Sequence, residues 1–128
     1  MEEKRLYKRV RFIEEVEITH ANKIYPGVVT DISMKGILIR LEDMPAEDVA
    51  EQGWRIRLPL SGNVQIIVKA RPSHCDLKSH AVGFEFTKID ADSMAHLRRL
   101  LELNTGDAGA IERELGQMVE DMKLKYLG

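Results

Sequence analysis

Two short segments concentrate side chains able to hold an anion. The first, Lys4-Arg5-Leu6-Tyr7-Lys8-Arg9-Val10-Arg11, packs five cations into eight residues. Neighbouring cations repel one another, so this stretch reads as an arm that an anion would order. The second, Asp31-Ile32-Ser33-Met34-Lys35-Gly36, brings a carboxylate, a hydroxyl and a glycine together where one strand ends and another begins. An arginine fork meets paired acceptors bidentately, a carboxylate accepts from paired N–H donors, and a serine hydroxyl donates to a phosphate oxygen or braces the carboxylate. Gly36 is expected to turn the backbone through positive φ and let it approach a ligand closely. Both segments could face one ligand.

Other chemistries are less well supported. His74, Cys75 and His80 are competent zinc ligands within seven positions, but on a strand His74 and Cys75 point to opposite faces, and no fourth ligand lies nearby in sequence. No metal site is expected. The pairs Glu14-Glu15, Glu42-Asp43 and Asp90 with Asp92 either diverge on a strand or belong to loops and caps. There is no nucleophile elbow, phosphate-binding glycine loop or metalloprotease helix. The expectation is a binding protein without catalytic residues, not an enzyme.

Composition makes the anion site local. The 128 residues are 44 % hydrophobic and 31 % charged, with net charge −2, so the chain can bury one core and lacks the broadly basic body of a non-specific nucleic-acid or membrane binder. A lone cysteine, Cys75, excludes an internal disulfide and suits a reducing compartment. Lys8, Arg9 and Arg11 interrupt any signal-peptide core, and no apolar run approaches the roughly 20 residues of a membrane span. A cytoplasmic protein is expected, with no membrane partner.

Strands must position these groups. Val16 and Ile18 alternate with Glu15, Glu17 and Thr19. Ile56, Leu58 and Leu60 alternate with Arg55, Arg57 and Pro59, and Val64, Ile66, Val68 and Ala70 follow the same period. Val82, Phe84 and Phe86 carry the bulkiest apolar side chains and are expected at the core's centre. Turns are expected at Ala21-Asn22, Pro26-Gly27, Ser61-Gly62-Asn63 and from Asp76 to Ser79. No helix-length segment separates the strands before residue 90, which favours an antiparallel barrel or sandwich, although residues 45–52 could hold a helical turn. Trp54 after Gly53 reads as a barrel-end plug, His20 as a strand end and His96 as a helix surface position.

From Asp90 the period becomes helical, with Met94, Leu97, Leu100 and Leu101 on one face, Asp90 or Asp92 as cap, and Asn104-Thr105-Gly106 as stop. A second helix is expected near Asp107, with Ile111, Leu115, Met118 and Met122 on a narrow stripe that packs on the barrel or on a second copy. The division is therefore a barrel domain with basic arm and packing helix over 1–104 and a helical extension over 105–128.

Arg5-x-x-x-Arg9 followed by Asp31-x-Ser33-x-x-Gly36 resembles the signature of the PilZ family, and the strand order, the late Val82-Gly83-Phe84-Glu85-Phe86 strand and the helix after it are similar to that family's barrel. The resemblance covers residues 4 to 104. It implies a mainly β fold, a small six-stranded antiparallel barrel followed by C-terminal helices, in a bacterial receptor for cyclic di-GMP whose arm closes over the ligand and signals to a downstream protein. The implied contacts are Arg5, Arg9, Asp31, Ser33 and Gly36, with Lys4, Lys8 and Tyr7 beside them. Lys4 departs from the members that carry another arginine there, keeping the charge but losing the planar fork.

The residue types fit such a ligand, a flat dianion with two guanines. Arginine matches the O6/N7 edge, a pairing worth about 1–3 kcal/mol of discrimination, and Asp31 matches the N1–H and N2–H₂ donors, selecting guanine over adenine. Ser33 suits a phosphate oxygen, and Tyr7 could pack over a base. Three readings follow: a nucleotide-sensing switch, a nucleotide-independent adaptor working through the Ile111/Leu115/Met118/Met122 stripe, and a single-strand nucleic-acid binder. With aromatics at only 5 % and no exposed row of them, DNA or RNA is not expected. The stripe leaves a homodimer open.

Overall fold

In the computed structural model, residues 10–44, 53–105, 109, 113, 114, 116 and 117 are described. Six strands, β1 (Val10–His20), β2 (Lys23–Ile32), β3 (Gly36–Leu41), β4 (Trp54–Pro59), β5 (Gln65–Asp76) and β6 (Ala81–Ile89), precede the helix α1 (Ala91–Thr105). They close into a barrel in the order β1-β2-β3-β6-β5-β4, every neighbouring pair antiparallel. Closure leaves no sheet edge to attract another strand.

The alternation read from the sequence is the inside–outside alternation of the barrel. On β4, Trp54, Ile56 and Leu58 are buried while Arg55, Arg57 and Pro59 are exposed. Val16 and Ile18 of β1, Ile66, Val68 and Ala70 of β5, and Val82 and Phe84 of β6 complete the same core, with Phe86 partly buried against it. Full burial of each such side chain contributes about 1.5–3 kcal/mol. His74 is exposed and Cys75 packs against the core, so the two do point to opposite faces.

Trp54 plugs one end. Its ring lies between Tyr25 and Phe84, and the His20 imidazole stacks on it at 4.2 Å between centroids and 13° between planes. His20 is thus more than a strand end.

Asp90 caps α1 as expected: its carboxylate accepts from the Ser93 amide at 2.7 Å and its carbonyl from the Met94 amide at 2.9 Å. The Ser93 hydroxyl donates to Asp90 and accepts from the Ile67 amide of β5 at 3.0 Å, tying helix to barrel. Leu97, Leu100 and Leu101 are buried at that contact. No described helix is long and apolar enough to cross a membrane.

The turn over residues 21–22 has both residues at positive φ, 51° and 66°, which suits the twist of a two-residue hairpin. The turn at 61–63 is also present, but Val64 belongs to it: its amide reaches the Ser61 carbonyl at 3.3 Å and β5 starts one residue later.

Pro26-Gly27 is not a turn. Both residues lie inside β2, opposite Glu17 and Val16. A Cβ on Gly27 would sit 2.7 Å from Ile39 Cγ2 and 2.9 Å from the Arg40 carbonyl oxygen, so glycine is there because strand β3 packs over it. The expected helical turn in residues 45–52 lies outside the described residues. Of the expected second helix, positions 109, 113, 114, 116 and 117 are helical, whereas Ile111, Leu115, Met118 and Met122 lie outside the described residues.

Candidate functional site

Asp31 would face the core if β2 kept a strict period of two, because Val29 does and Asp31 is two residues on. A bulge reverses this. The ladder runs Val29 opposite Ile39 and then Asp31 opposite Leu38, leaving Thr30 as an extra residue whose hydroxyl donates to the Leu38 carbonyl at 3.3 Å. One added residue exchanges the faces of everything after it, sending Ile32 inward and Asp31 outward.

The same device operates on β5. Pro72 pairs with Phe84 and His74 with Gly83, with Ser73 as the extra residue, its hydroxyl donating to the Gly83 carbonyl at 3.1 Å. On β1 the register shifts between Arg11 and Glu14. These three irregularities surround one patch of the outer wall.

The register defines that patch. Arg11 of β1 lies opposite Asp31 of β2, Asp31 opposite Leu38 of β3, Leu38 opposite Gly83 of β6, and Gly83 opposite His74 of β5. This outward row crosses five strands. Gly83 contributes no side chain to its middle, which leaves a floor between Leu38 and His74. An open trough of about 920 Å³ follows the row, with Arg40 and Asp76 also on its walls. A depression of about 180 Å³ joins it at Asp31, Leu38, Ser73 and Gly83 and continues past Ser33, Lys35 and Gly36.

The Ser33–Gly36 segment is a turn held by its own serine. The Ser33 amide donates to the Gly36 carbonyl at 2.8 Å, and its hydroxyl oxygen accepts from the amides of Lys35 at 3.3 Å and Gly36 at 3.2 Å. Met34 anchors the turn from below, fully buried. Ser33 itself is only 8 % exposed, so what it visibly does is fix the backbone beside Asp31.

Gly36 does not adopt positive φ, contrary to the expectation from sequence; the glycines that do, among the described residues, are Gly53 and Gly62. It is required for space. A Cβ at Gly36 would lie 2.5 Å from the Phe84 carbonyl oxygen of β6.

Charge on the trough is mixed. Asp31 and Asp76 face Arg11, Arg40 and His74. The Ser79 hydroxyl, and after it the Lys78 amide, hold the Asp76 carboxyl below the usual carboxylate range. Glu85, at the lip beside Gly36, is paired with Arg71 at 2.9 Å. Asp31, Ser33 and Gly36 are therefore brought together, while Lys4, Arg5, Tyr7, Lys8 and Arg9 lie outside the described residues. Arg11 belongs to the basic segment singled out in the sequence, whereas Arg40, Ser73, His74 and Gly83 join the motif only through register, which no spacing in the sequence reveals.

The sequence matches the family described as PilZ domain over residues 3–103. The chain belongs to the PilZ domain family. Solved structures similar to it include the Bacillus subtilis inhibitor of motility MotI/DgrA (22 % identity, TM-score 0.63, covering 89 % of this chain and 53 % of that one). The PilZ domain of CeSA from a cellulose-synthesizing bacterium is another (23 %, 0.59, 77 % and 96 %). The PilZ domain of Escherichia coli YcgR, solved with c-di-GMP, is a third (19 %, 0.54, 92 % and 98 %). The chain spans about half the length of MotI/DgrA. At these identities the likeness is one of fold: the closed six-stranded barrel is the PilZ barrel, and Asp31, Ser33 and Gly36 stand on its outer wall.

Proposed function

We propose that this PilZ domain is a receptor for cyclic di-GMP that takes the ligand in the Asp31 trough and signals by closing the basic arm over it, without catalysing a reaction. The observation that carries the reading is the outward Asp31 beside the Ser33-fixed turn, on a trough wide enough for a nucleotide. β1 begins at Val10 opposite Ile32, so the arm's point of attachment is beside the motif. A tether of five residues reaches at most about 17 Å, which keeps both Arg5 and Arg9 within range of the trough.

In this reading Asp31 accepts from the N1–H and N2–H₂ of one guanine, Arg5 and Arg9 supply forks to O6/N7 and the phosphodiesters, and Lys4 and Lys8 add charge. Tyr7 packs over a base. Gly36 and Ser33 keep the turn low enough for the ligand to lie flat. Arg71 neutralises Glu85 at the lip, which removes a carboxylate that would repel the dianion. The reshaped arm and wall then dock a downstream protein, in a cytoplasmic setting.

Isothermal titration calorimetry with cyclic di-GMP and cyclic di-AMP tests the assignment on wild type, Arg9→Ala and Asp31→Ala. Saturable, guanine-specific binding that both substitutions abolish while the fold stays intact is the expected result. Wild-type affinity in either variant, or no heat from the folded wild type, contradicts it.

A further inference from the structure

The trough does not end at the motif. From Asp31 it crosses Leu38 and the bare Gly83 to His74, three strand intervals away or about 14 Å. Along the way Arg40 stands on β3 two residues past Leu38, opposite Ala81, whose small side chain leaves the guanidinium uncovered. Arg40 and His74 are both exposed. Arg40 forms no ion pair with another described residue, in contrast to Arg57, Arg71 and Arg98, which pair with Glu17, Glu85 and Glu102.

The wall between the two ends is shaped for something flat. Gly83 tolerates a Cβ sterically, the nearest atoms being His74 Cβ at 3.5 Å and Ser73 Oγ at 3.6 Å, so its bareness is not forced by packing as that of Gly36 is. A side chain there would instead stand in the trough. The Ser73 bulge turns His74 outward on the far side of this floor, as the Thr30 bulge turns Asp31 outward on the near side.

Building on the cyclic di-GMP reading, we infer that Arg40 and His74 form the far half of the nucleotide site and hold the second guanine of the ligand. A ligand with two guanines flanking a sugar–phosphate ring presents the same base at both ends. Asp31 reads one. At the other, the Arg40 fork meets the O6/N7 edge and the His74 ring stacks on the base. Asp76, held ionised by Ser79 and Lys78, lies on the same wall and offers an acceptor to that guanine's N–H donors. The barrel wall thereby selects a dinucleotide over a mononucleotide.

The test is calorimetric titration of cyclic di-GMP into the full chain carrying Arg40→Ala, His74→Ala or, as a control for general charge loss, Arg55→Ala on β4, with ligand-free melting curves for each. Arg40→Ala is expected to weaken binding about tenfold and His74→Ala about threefold, with Arg55→Ala equal to wild type. Should an alanine variant melt early, Arg40→Gln or His74→Gln replaces it. Wild-type affinity in either trough variant, or an equal loss in Arg55→Ala, overturns the far half while leaving the Asp31 site standing. A folded wild type that gives no binding overturns both.

Discussion

Replacing Gly36 by alanine separates two explanations of the same residue. Were the glycine present for backbone freedom, alanine would be strained by its conformation. The structure instead gives an ordinary backbone and a steric demand: the new methyl would lie 2.5 Å from the Phe84 carbonyl oxygen, where ordinary contact begins at 3.4 Å. About 0.9 Å must be gained between β3 and β6, and neither atom can yield alone, because the oxygen is backbone and the methyl is bonded directly to Cα. The neighbouring bond from the Phe86 amide to the Lys35 carbonyl, now 2.8 Å, would stretch beyond good hydrogen-bond length.

Overpacking of this kind costs about 1–3 kcal/mol, a weakened backbone bond adds about 0.5–1.5 kcal/mol, and alanine recovers about 0.4–1 kcal/mol by restricting the unfolded chain. The net expectation is a loss of about 1–3 kcal/mol, read as a lower urea midpoint at unchanged m-value and a melting temperature depressed by about 4 °C per kcal/mol. Gly83→Ala is the matched control, since its Cβ meets nothing closer than 3.5 Å; it is expected to keep or slightly raise stability. Equal stability of Gly36→Ala and wild type would refute the packing account of this glycine.

Ser93→Ala strands the Ile67 amide and removes a partner of the Asp90 carboxylate, so a loss of about 1–3 kcal/mol in urea unfolding is expected; an unchanged midpoint would show that the tie between α1 and β5 is dispensable. Asp76 and Asp90 both have folded pKa values below their unfolded ones, Asp76 chiefly through the Ser79 hydroxyl and Asp90 chiefly through the Ser93 amide. Their contribution is therefore complete above about pH 4 and disappears as pH falls through the lowered values. Ser79→Ala should lose stability relative to wild type at neutral pH and converge with it in acid, as followed by melting curves across that range; a constant difference contradicts this. Trp54 is the chain's only tryptophan and His20 stacks on it, so His20→Ala, which removes the stack, is expected to change the tryptophan emission. An unchanged spectrum in His20→Ala would show that the stack does not set the indole's environment.

Much of the barrel was legible because its strands obey a period of two: 54–58 and 66–70 alternate cleanly and bury the residues that the alternation nominates. The Asp90 cap and the Leu97/Leu100/Leu101 face were equally plain. Pro26-Gly27 misled because composition marks a turn, whereas register shows a glycine chosen for the approach of Ile39 and Arg40. Gly36 was singled out for backbone freedom, whereas the oxygen it accommodates belongs to Phe84, 48 positions on in sequence.

The bulges were the main loss. They leave only a faint trace, two inward residues three apart, as in Val29 and Ile32 or Pro72 and Cys75. That spacing is also what a helix would show. Because of this His74 invited comparison only with Cys75 and His80 as a metal ligand, although its neighbours on the wall are Gly83, Asp31 and Arg40. The Asp31 motif announced itself through local spacing, but the surface it stands on is assembled from strands far apart in the chain.

The most direct test of the proposed nucleotide site is an amide NMR titration of the uniformly labelled protein with cyclic di-GMP. Saturable shifts are expected at the Asp31–Gly36 turn, at Leu38 and Arg40, at Ser73 and His74, at Gly83 and along residues 4–11, with α1 and the 60–64 turn unmoved. Shifts confined to α1 and that turn, or none at ligand concentrations far above those of the protein, would contradict it.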